Sequence, residues 1–374
     1  MDLEAKTELL GGRSPARFMR RYWQTEPLLV RNAWPGVTPP MARSALFALA
    51  ERDDVEARLV TRSGRTWSLR HGPLARRSLP PLTQRFWTLL VQGVDLHDDA
   101  AHRLLQRFRF VPDARLDDLM VSFATDGGGV GPHVDAYDVF LLQLKGQRRW
   151  RIGPAPDRTL VTGAPLKLLR RFHPTHDWVL NAGDMLYLPP FWGHDGVAIG
   201  ECMTASIGFR APGRIALVRD LMQRIADDLP DAADGQGVYR DPRQRGTTVP
   251  ARIPPNLQEF AHKAWQRSMR SQGVLDRALG QALTEPKAQV WFEAPAARRI
   301  GAKALVLDRR TRMLYDAHHV FINGESFVVS GRDAESLRRM ADERTLMIAD
   351  LKQLSRSTRD LLTQWANAGW LHEF

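Results

Sequence analysis

The sequence predicts a mainly β protein with added α elements: an antiparallel sandwich or barrel, then a helical segment, then a small winged-helix-like domain. Three observations carry this expectation. From about residue 116 to 209 the chain is a series of short apolar runs, "LMVSFAT", "VFLLQL", "RRWRI", "WVL", "DMLYLP" and "CMTASIGF". They are separated by "DGGGVGP", "KGQ", "NAGD" and "PPFWGHDG", the texture of short antiparallel strands. Past "RAPG" at 210–213 the period changes, and Ile215, Val218, Leu221, Met222 and Ile225 fall on one helical stripe. Near the end, Val320-Phe321-Ile322 and Phe327-Val328-Val329 flank Asn323-Gly324, a strong hairpin signal.

Taken in order, "SPARFMRRY" at 14–22 opens a helix, with Ser14 as its N-cap and Pro15 in the first turn. "PLLVRNA" reads as a short strand, 41–52 as a helix, and 55–71 as two strands around a Ser63-Gly64 turn. "AAHRLLQRF" is a helix that follows His97-Asp98-Asp99. The connection from 153 to 176 is long and irregular. Amphipathic helices are expected near 257–269 and 273–284, and a Pro286 break precedes the mixed C-terminal part. The expected domains are therefore 1–209, 210–285 and 286–374.

Composition bounds the function. With 43% hydrophobic and 25% charged residues the chain is of ordinary globular type. The N-terminus has no apolar core of a signal peptide, and no stretch has the ~18 apolar residues of a membrane helix. Cys202, the single cysteine, excludes an intrachain disulfide and any cysteine-based zinc site. A cytoplasmic protein is expected. The net charge is +11, and 46 of the 53 basic residues are arginine. Such a balance suits acidic or nucleic-acid-bearing partners, although an arginine-rich codon usage produces it too. The excess divides as +5 over 1–209, +3 over 210–285 and +3 over 286–374, which marks out no single nucleic-acid face.

Two H-x-D tripeptides occur, and context separates them. His97-Asp98-Asp99 sits just before a helix, where aspartates cap. His133-Val134-Asp135 lies where a glycine-rich turn enters the strand "VFLLQL", and side chains two apart on a strand share a face. His194, at the start of a later strand, is the third ligand candidate. Two histidines and one carboxylate form the facial triad of non-haem Fe(II) oxygenases, which leaves positions open for a bidentate cosubstrate and dioxygen. The distal carboxylate of a 2-oxo acid needs a buried cation, and "QRRWR" supplies Arg148, Arg149 and Arg151. Alternation places Arg149 with Arg151 and Arg148 with Trp150, and leaves open which pair is internal. His173 and His176 in "HPTH" read as a surface or substrate-facing loop, and Trp192 and Trp370 as packing residues.

The stretch "DLMVSFATDGGGVGPHVDAYDVFLLQLKGQRRWRIG", with "GDMLYLPPFWGHDG" and "SIGFRAPG" downstream and "RFMRRYWQTEPLLVRNAWPG" upstream, resembles the JmjC ribosomal oxygenases. The similarity is to their bacterial branch, Fe(II)- and 2-oxoglutarate-dependent arginine hydroxylases of the sixteenth large-subunit ribosomal protein. The resemblance spans essentially the whole chain. It implies a JmjC/cupin double-stranded β-helix (jelly roll), a helical dimerisation region and a winged-helix-like end. It also implies His133, Asp135 and His194 as iron ligands and selects Arg148 as the clamp on 2-oxoglutarate. Asp118, Met120, Tyr137 and Ser206 are implied as the pocket for the substrate arginine, with Asp126 a rival to Asp118. A carboxylate holding a guanidinium between apolar and aromatic walls is sound chemistry. The resemblance further implies a ribosomal protein as substrate and a homodimer. No specific DNA partner is expected from the modest +3 charge of 286–374 and its lack of a dense basic recognition helix, and no membrane partner from the lack of a long apolar stretch. The alternatives are the same chemistry on a ribosomal histidine, a lysine demethylase, a non-catalytic cupin-like module, and a winged-helix DNA-binding regulator.

Overall fold

A computed structural model describes residues 2–228, 238–269, 273–294, 300–301 and 303–374. The chain divides into two compact units, Met1–Ala211 and Pro212–Phe374. Of the expected helical region, residues 229–237 and 270–272 lie outside the described residues, as do 295–299 and 302 of the expected winged-helix-like end. Among the described residues no helix is long and apolar enough to cross a membrane.

In the first unit, Ser14 is extended and its hydroxyl accepts the Arg17 amide at 3.2 Å, which opens α1 (Pro15–Arg21). There follow β1 (Leu28–Val30), α2 (Arg43–Leu49), β2 (Ala57–Ser63), β3 (Thr66–His71), β4 (Trp87–Val91) and α3 (Asp99–Gln106). The Asp98 carboxylate accepts the Ala101 amide at 2.8 Å, so the first H-x-D motif is a helix cap. The sheet is completed by β5 (Leu116–Ala124), β6 (Asp138–Pro154), β7 (His176–Leu180), β8 (Met185–Leu188) and β9 (Trp192–Phe209). All pairs are antiparallel, in the order β1-β8-β6-β9-β5-β4-β2-β3, with β7 also on β6.

One expected break is absent. "VFLLQL" and "RRWRI" form the one strand β6, and β9 runs from Trp192 through Gly200 to Phe209. Gly146, read from sequence as a turn, is a bulge inside β6, where the ladder to β9 slips on either side of Lys145. Its φ is +66°, and a Cβ there would lie 2.1 Å from the Glu201 carbonyl oxygen. Glycine is therefore required.

The bulge splits β6 into halves with different partners. Residues 139–142 pair with β8, and 148–152 pair with β7. The apolar cluster Val139, Leu141, Trp150, Ile152, Leu180, Leu186 and Leu188 draws on both halves, so the sheet folds back across the bulge to enclose it, the arrangement of a jelly roll. Inward positions change from odd (139, 141) to even (148, 150, 152) across Gly146. The opposite face, through Phe140, Leu142, Leu119, Val121, Phe123, Ile207 and Phe209, packs against Phe18, Phe47 and Leu104 of the helices in the larger core.

The second unit comprises α4 (Arg214–Asp227), α5 (Pro255–Met269), α6 (Val274–Thr284), β10 (Leu305–Leu307), β11 (Met313–Tyr315), β12 (His319–Ile322), β13 (Glu325–Val328), α7 (Gly331–Glu343), β14 (Thr345–Leu346), α8 (Ile348–Gln353), α9 (Arg356–Asn367) and β15 (Leu371–Glu373). Asn323 and Gly324 have φ of +48° and +90°, both positive as a type I′ hairpin turn demands. Of the α4 stripe, Leu221 and Ile225 pack with Ala278 of α6, while Ile215, Val218 and Met222 are exposed.

Candidate functional site

His133, Asp135 and His194 lie together, with one ligand atom from each within 4.8 Å of the others. His133 and Asp135 are not on a strand as expected. They occupy the irregular segment before β6, placed by the backbone. The His133 amide donates to the His194 carbonyl at 3.0 Å, and the His194 amide donates back at 2.9 Å. This single rung ties the loop to the start of β9, while the Phe191 amide donates to the Asp135 carbonyl at 2.7 Å.

Each imidazole is oriented from behind. His133 Nδ1 lies 2.9 Å from the Gly131 carbonyl oxygen, and His194 Nδ1 lies 3.0 Å from that of Trp192. With Nδ1–H donated, both Nε2 atoms turn toward Asp135, at 4.0 Å and 3.5 Å from its Oδ2. Backbone acceptors on Nδ1 fix the tautomer a metal needs. Burial, reinforced by the neighbouring His194, pushes the His133 imidazole down to about 4, which keeps it neutral. Burial works against the Asp135 carboxylate. The hydrogen bond and charge of His194, together with His133 and the Tyr137 hydroxyl, prevail and hold it at about 2. Burial likewise disfavours a charged His194, yet Asp135 outweighs it and the pKa is raised. The cluster holds one negative charge facing two ring nitrogens, a donor set suited to a divalent cation.

Arg148 stands on the inner face of β6, opposite Ala198 of β9, four residues along the ladder from the Ile152–His194 pair. It is 5% exposed. Its Nη1 donates a long 3.4 Å hydrogen bond to the Ser122 hydroxyl, while its Nε and Nη2 are buried without a partner among the described residues. Trp150 lies between, its ring centred 6.0 Å from that of His194 and 5.7 Å from the Arg148 guanidinium carbon. Gly196 opposite has no side chain because a Cβ would meet the Trp150 ring at 2.6–2.9 Å. Arg149 and Arg151 point outward, to Asp177 and Asp195.

The expected substrate residues occupy the same face of the sheet. Asp118 and Met120 of β5 face Gly208 and Ser206 of β9 in register. Asp118 is buried, and both of its oxygens accept from Gln92 Nε2, at 3.1 and 3.0 Å. Tyr137 is partly exposed, and its hydroxyl bonds Asp135. Burial, then the charges of Asp135 and Asp118, raise the phenol's pKa. Asp126 is occupied elsewhere, accepting the Gly200 amide at 2.9 Å and pairing with Arg85. His173 and His176 are exposed and apart from the cluster.

Sequence reasoning missed Ser122 and Gln92. Ser122 has the parity of Asp118 and Met120, a signal that was available. Gln92 has no local signal, because it meets Asp118 only through the β4–β5 pairing.

A JmjC domain model matches residues 103–217, and a ROXA-like winged helix model matches residues 269–372. The chain is 36% identical over 247 residues to the ribosomal protein uL16 3-hydroxylase of Escherichia coli, covering 64% of this chain and 62% of that protein. It is 29% identical over 387 residues to a probable ribosomal oxygenase of Haemophilus influenzae, covering 96% and 95%. Among solved structures, E. coli YcfD superposes with a TM-score of 0.82 at 27% identity, covering 96% of this chain and 97% of that one. A structure of YcfD with cobalt and 2-oxoglutarate gives 0.78 at the same identity and coverage.

Proposed function

We propose that this chain, which belongs to the JmjC-type ribosomal oxygenases of the bacterial branch, is an Fe(II)- and 2-oxoglutarate-dependent hydroxylase of an arginine side chain in the sixteenth large-subunit ribosomal protein. On this reading 1–209 form the catalytic domain, 210–285 a helical dimerisation region and 286–374 the winged-helix domain. The enzyme works in the cytoplasm as a homodimer whose contact uses the exposed apolar stripe of α4.

The single observation that carries the reading is the Arg148 guanidinium. A buried cation with two unpartnered donors is costly, and it stands on the face that leads to the His-Asp-His cluster. A dicarboxylate anchored at one end by a metal and at the other by Arg148 satisfies both. His133, Asp135 and His194 would hold the iron, which with 2-oxoglutarate and dioxygen supplies the oxidising chemistry that turns a C–H into a C–OH.

The remaining work belongs to this chain. Arg148, with Ser122, takes the distal carboxylate through charge-assisted hydrogen bonds. Trp150, Ile152, Leu180, Leu186 and Leu188 exclude water from the interior. Asp118, held by Gln92, receives the substrate cation, and Met120, Tyr137 and Ser206 line its stem. A carboxylate here suits a cationic target better than a neutral histidine.

The test is anaerobic loading with Fe(II) and 2-oxoglutarate, then oxygen with ribosomal-protein peptides, read by mass spectrometry with a His133→Ala control. A gain of one oxygen on one arginine, lost in the control, is expected. Succinate without peptide oxidation would discard the substrate, loss of methyl groups from lysine would favour the demethylase, and failure to bind metal would discard the catalytic reading.

A further inference from the structure

The even division of charge among the three regions hides a local concentration. Residues 57–94 contain seven arginines and no lysine, aspartate or glutamate. Arg62 of β2 stands opposite Trp67 of β3. Its guanidinium carbon lies 5.4 Å from the centre of the Trp67 ring and 5.1 Å from that of Phe86, and Arg85 lies 4.7 Å from Phe86. A cavity of about 300 Å³ opens here, with Arg62, Trp67, Arg151, Arg170, Phe172 and Asp195 in its walls. It lies on the outward side of the β6–β9 ladder, next along the chain to the candidate metal centre: Gly131 and Pro132, which also line it, precede His133, and Asp195 follows His194.

The arginines here are not equivalent. Arg85 is paired with Asp126 at 2.6 Å, and Arg151 is paired with Asp195. Arg62 and Arg170 are in no ion pair among the described residues. Beyond the cavity Arg65 is exposed at the β2–β3 turn, whereas Arg70, opposite Leu59, lies on the other face of that ladder and Arg76 packs over Phe47.

We propose that this arginine–aromatic cavity is a binding site for single-stranded RNA, taking one nucleotide in the cavity and an adjoining phosphate at Arg65. An acidic side chain would engage one guanidinium and leave both rings unused. A ribonucleotide engages both kinds of group, its phosphate on the arginines and its base on an aromatic face. Arg65 then holds the neighbouring phosphate without reading sequence. The site does not depend on the oxygenase reading, because neither metal nor cosubstrate enters it.

The experiment uses the full chain without metal, titrated into a fluorescein-labelled oligouridylate and followed by anisotropy over a salt series. Binding is expected, with log K falling linearly with log salt. Trp67→Ala weakens it about tenfold with the salt slope unchanged. Arg62→Ala and Arg170→Ala each weaken it and reduce the slope by about 0.7. Circular dichroism checks that each variant is folded, and the exposed Arg65→Ala serves as a second variant that cannot disturb the core. No salt-dependent binding overturns the proposal, as does binding that all four variants leave unchanged. Displacement by a polyglutamate peptide with the same variant losses also overturns it, in favour of an acidic protein partner.

Discussion

Replacing Arg148 with methionine should have opposite effects on the protein with and without its cosubstrate. The native side chain is buried, makes one 3.4 Å hydrogen bond to Ser122, and leaves Nε and Nη2 unpartnered. Methionine keeps much of the stem's volume and removes a buried charge that no carboxylate pairs with among the described residues, a relief of about 1–3 kcal/mol. Against this stands one weak hydrogen bond, about 0.5–1.5 kcal/mol. The cosubstrate-free variant should thus be as stable as the native protein or slightly more so. With 2-oxoglutarate the sign reverses. Two charge-assisted hydrogen bonds at about 1.5–3 kcal/mol each amount to roughly a hundredfold or more in Kd, at about 1.4 kcal/mol per tenfold. Thermal unfolding with and without 2-oxoglutarate, plus calorimetric binding in the presence of Mn(II), reads both halves. A variant that binds 2-oxoglutarate like the native chain would refute the clamp. A strongly destabilised cosubstrate-free variant would show that Arg148 already has a partner inside the fold.

Further outcomes follow from the same geometry. His133→Ala should lower divalent-metal affinity by at least about a hundredfold, beyond the loss of an orienting group, with the fold retained by circular dichroism; equilibrium dialysis checks this. Asp118→Asn should reduce kcat/KM for an arginine peptide about tenfold or more, one charge-assisted hydrogen bond, while peptide-independent turnover of 2-oxoglutarate persists. Gly196→Ala should overpack the Trp150 ring, destabilise the first unit by about 1–3 kcal/mol, and weaken 2-oxoglutarate binding measured by calorimetry. In the second unit burial works against the Asp308 carboxylate, yet hydrogen bonds from Arg310 and His372 hold it at about 2. Its folded pKa lies below the ordinary 3.8, so its contribution, of order 1–2 kcal/mol after allowance for screening, is complete above that value and lost as the pH falls through about 2. Asp308→Asn should flatten the acid side of the stability curve in urea titrations at stepped pH.

What could be read in the sequence is what local chemistry decides. Ser14 and Asp98 cap helices because their oxygens reach amides three residues on, and Asn323-Gly324 turns a hairpin because both residues accept positive φ. The approach of His133, Asp135 and His194 was anticipated, but its means was not. A two-residue alternation suggested a shared strand face, whereas the fold uses a backbone rung between residues 61 apart. The face of Arg148 could not be derived from alternation at all. The register slip between Gln143 and Lys145, just before Gly146, changes the inward parity from odd to even, so counting forward from Leu141 gives the wrong side. Gly146 looks like a turn in a string of letters, and only the partner strand shows that it lies inside a long one. Gln92 and Ser122 are legible only once β4, β5 and β6 are in register.

The rung between His133 and His194 has a consequence for how the centre is made. Each imidazole is tethered by its own Nδ1 to a carbonyl two residues upstream, and the two backbones are stitched by a pair of amides. The directions of two ligands are therefore written into the main chain before any ion arrives. Such a centre is moulded by folding and does not itself mould the fold. A chelator should empty it and leave the barrel standing, and the emptied protein should accept a fresh ion on the timescale of diffusion and ligand exchange, with no refolding in between.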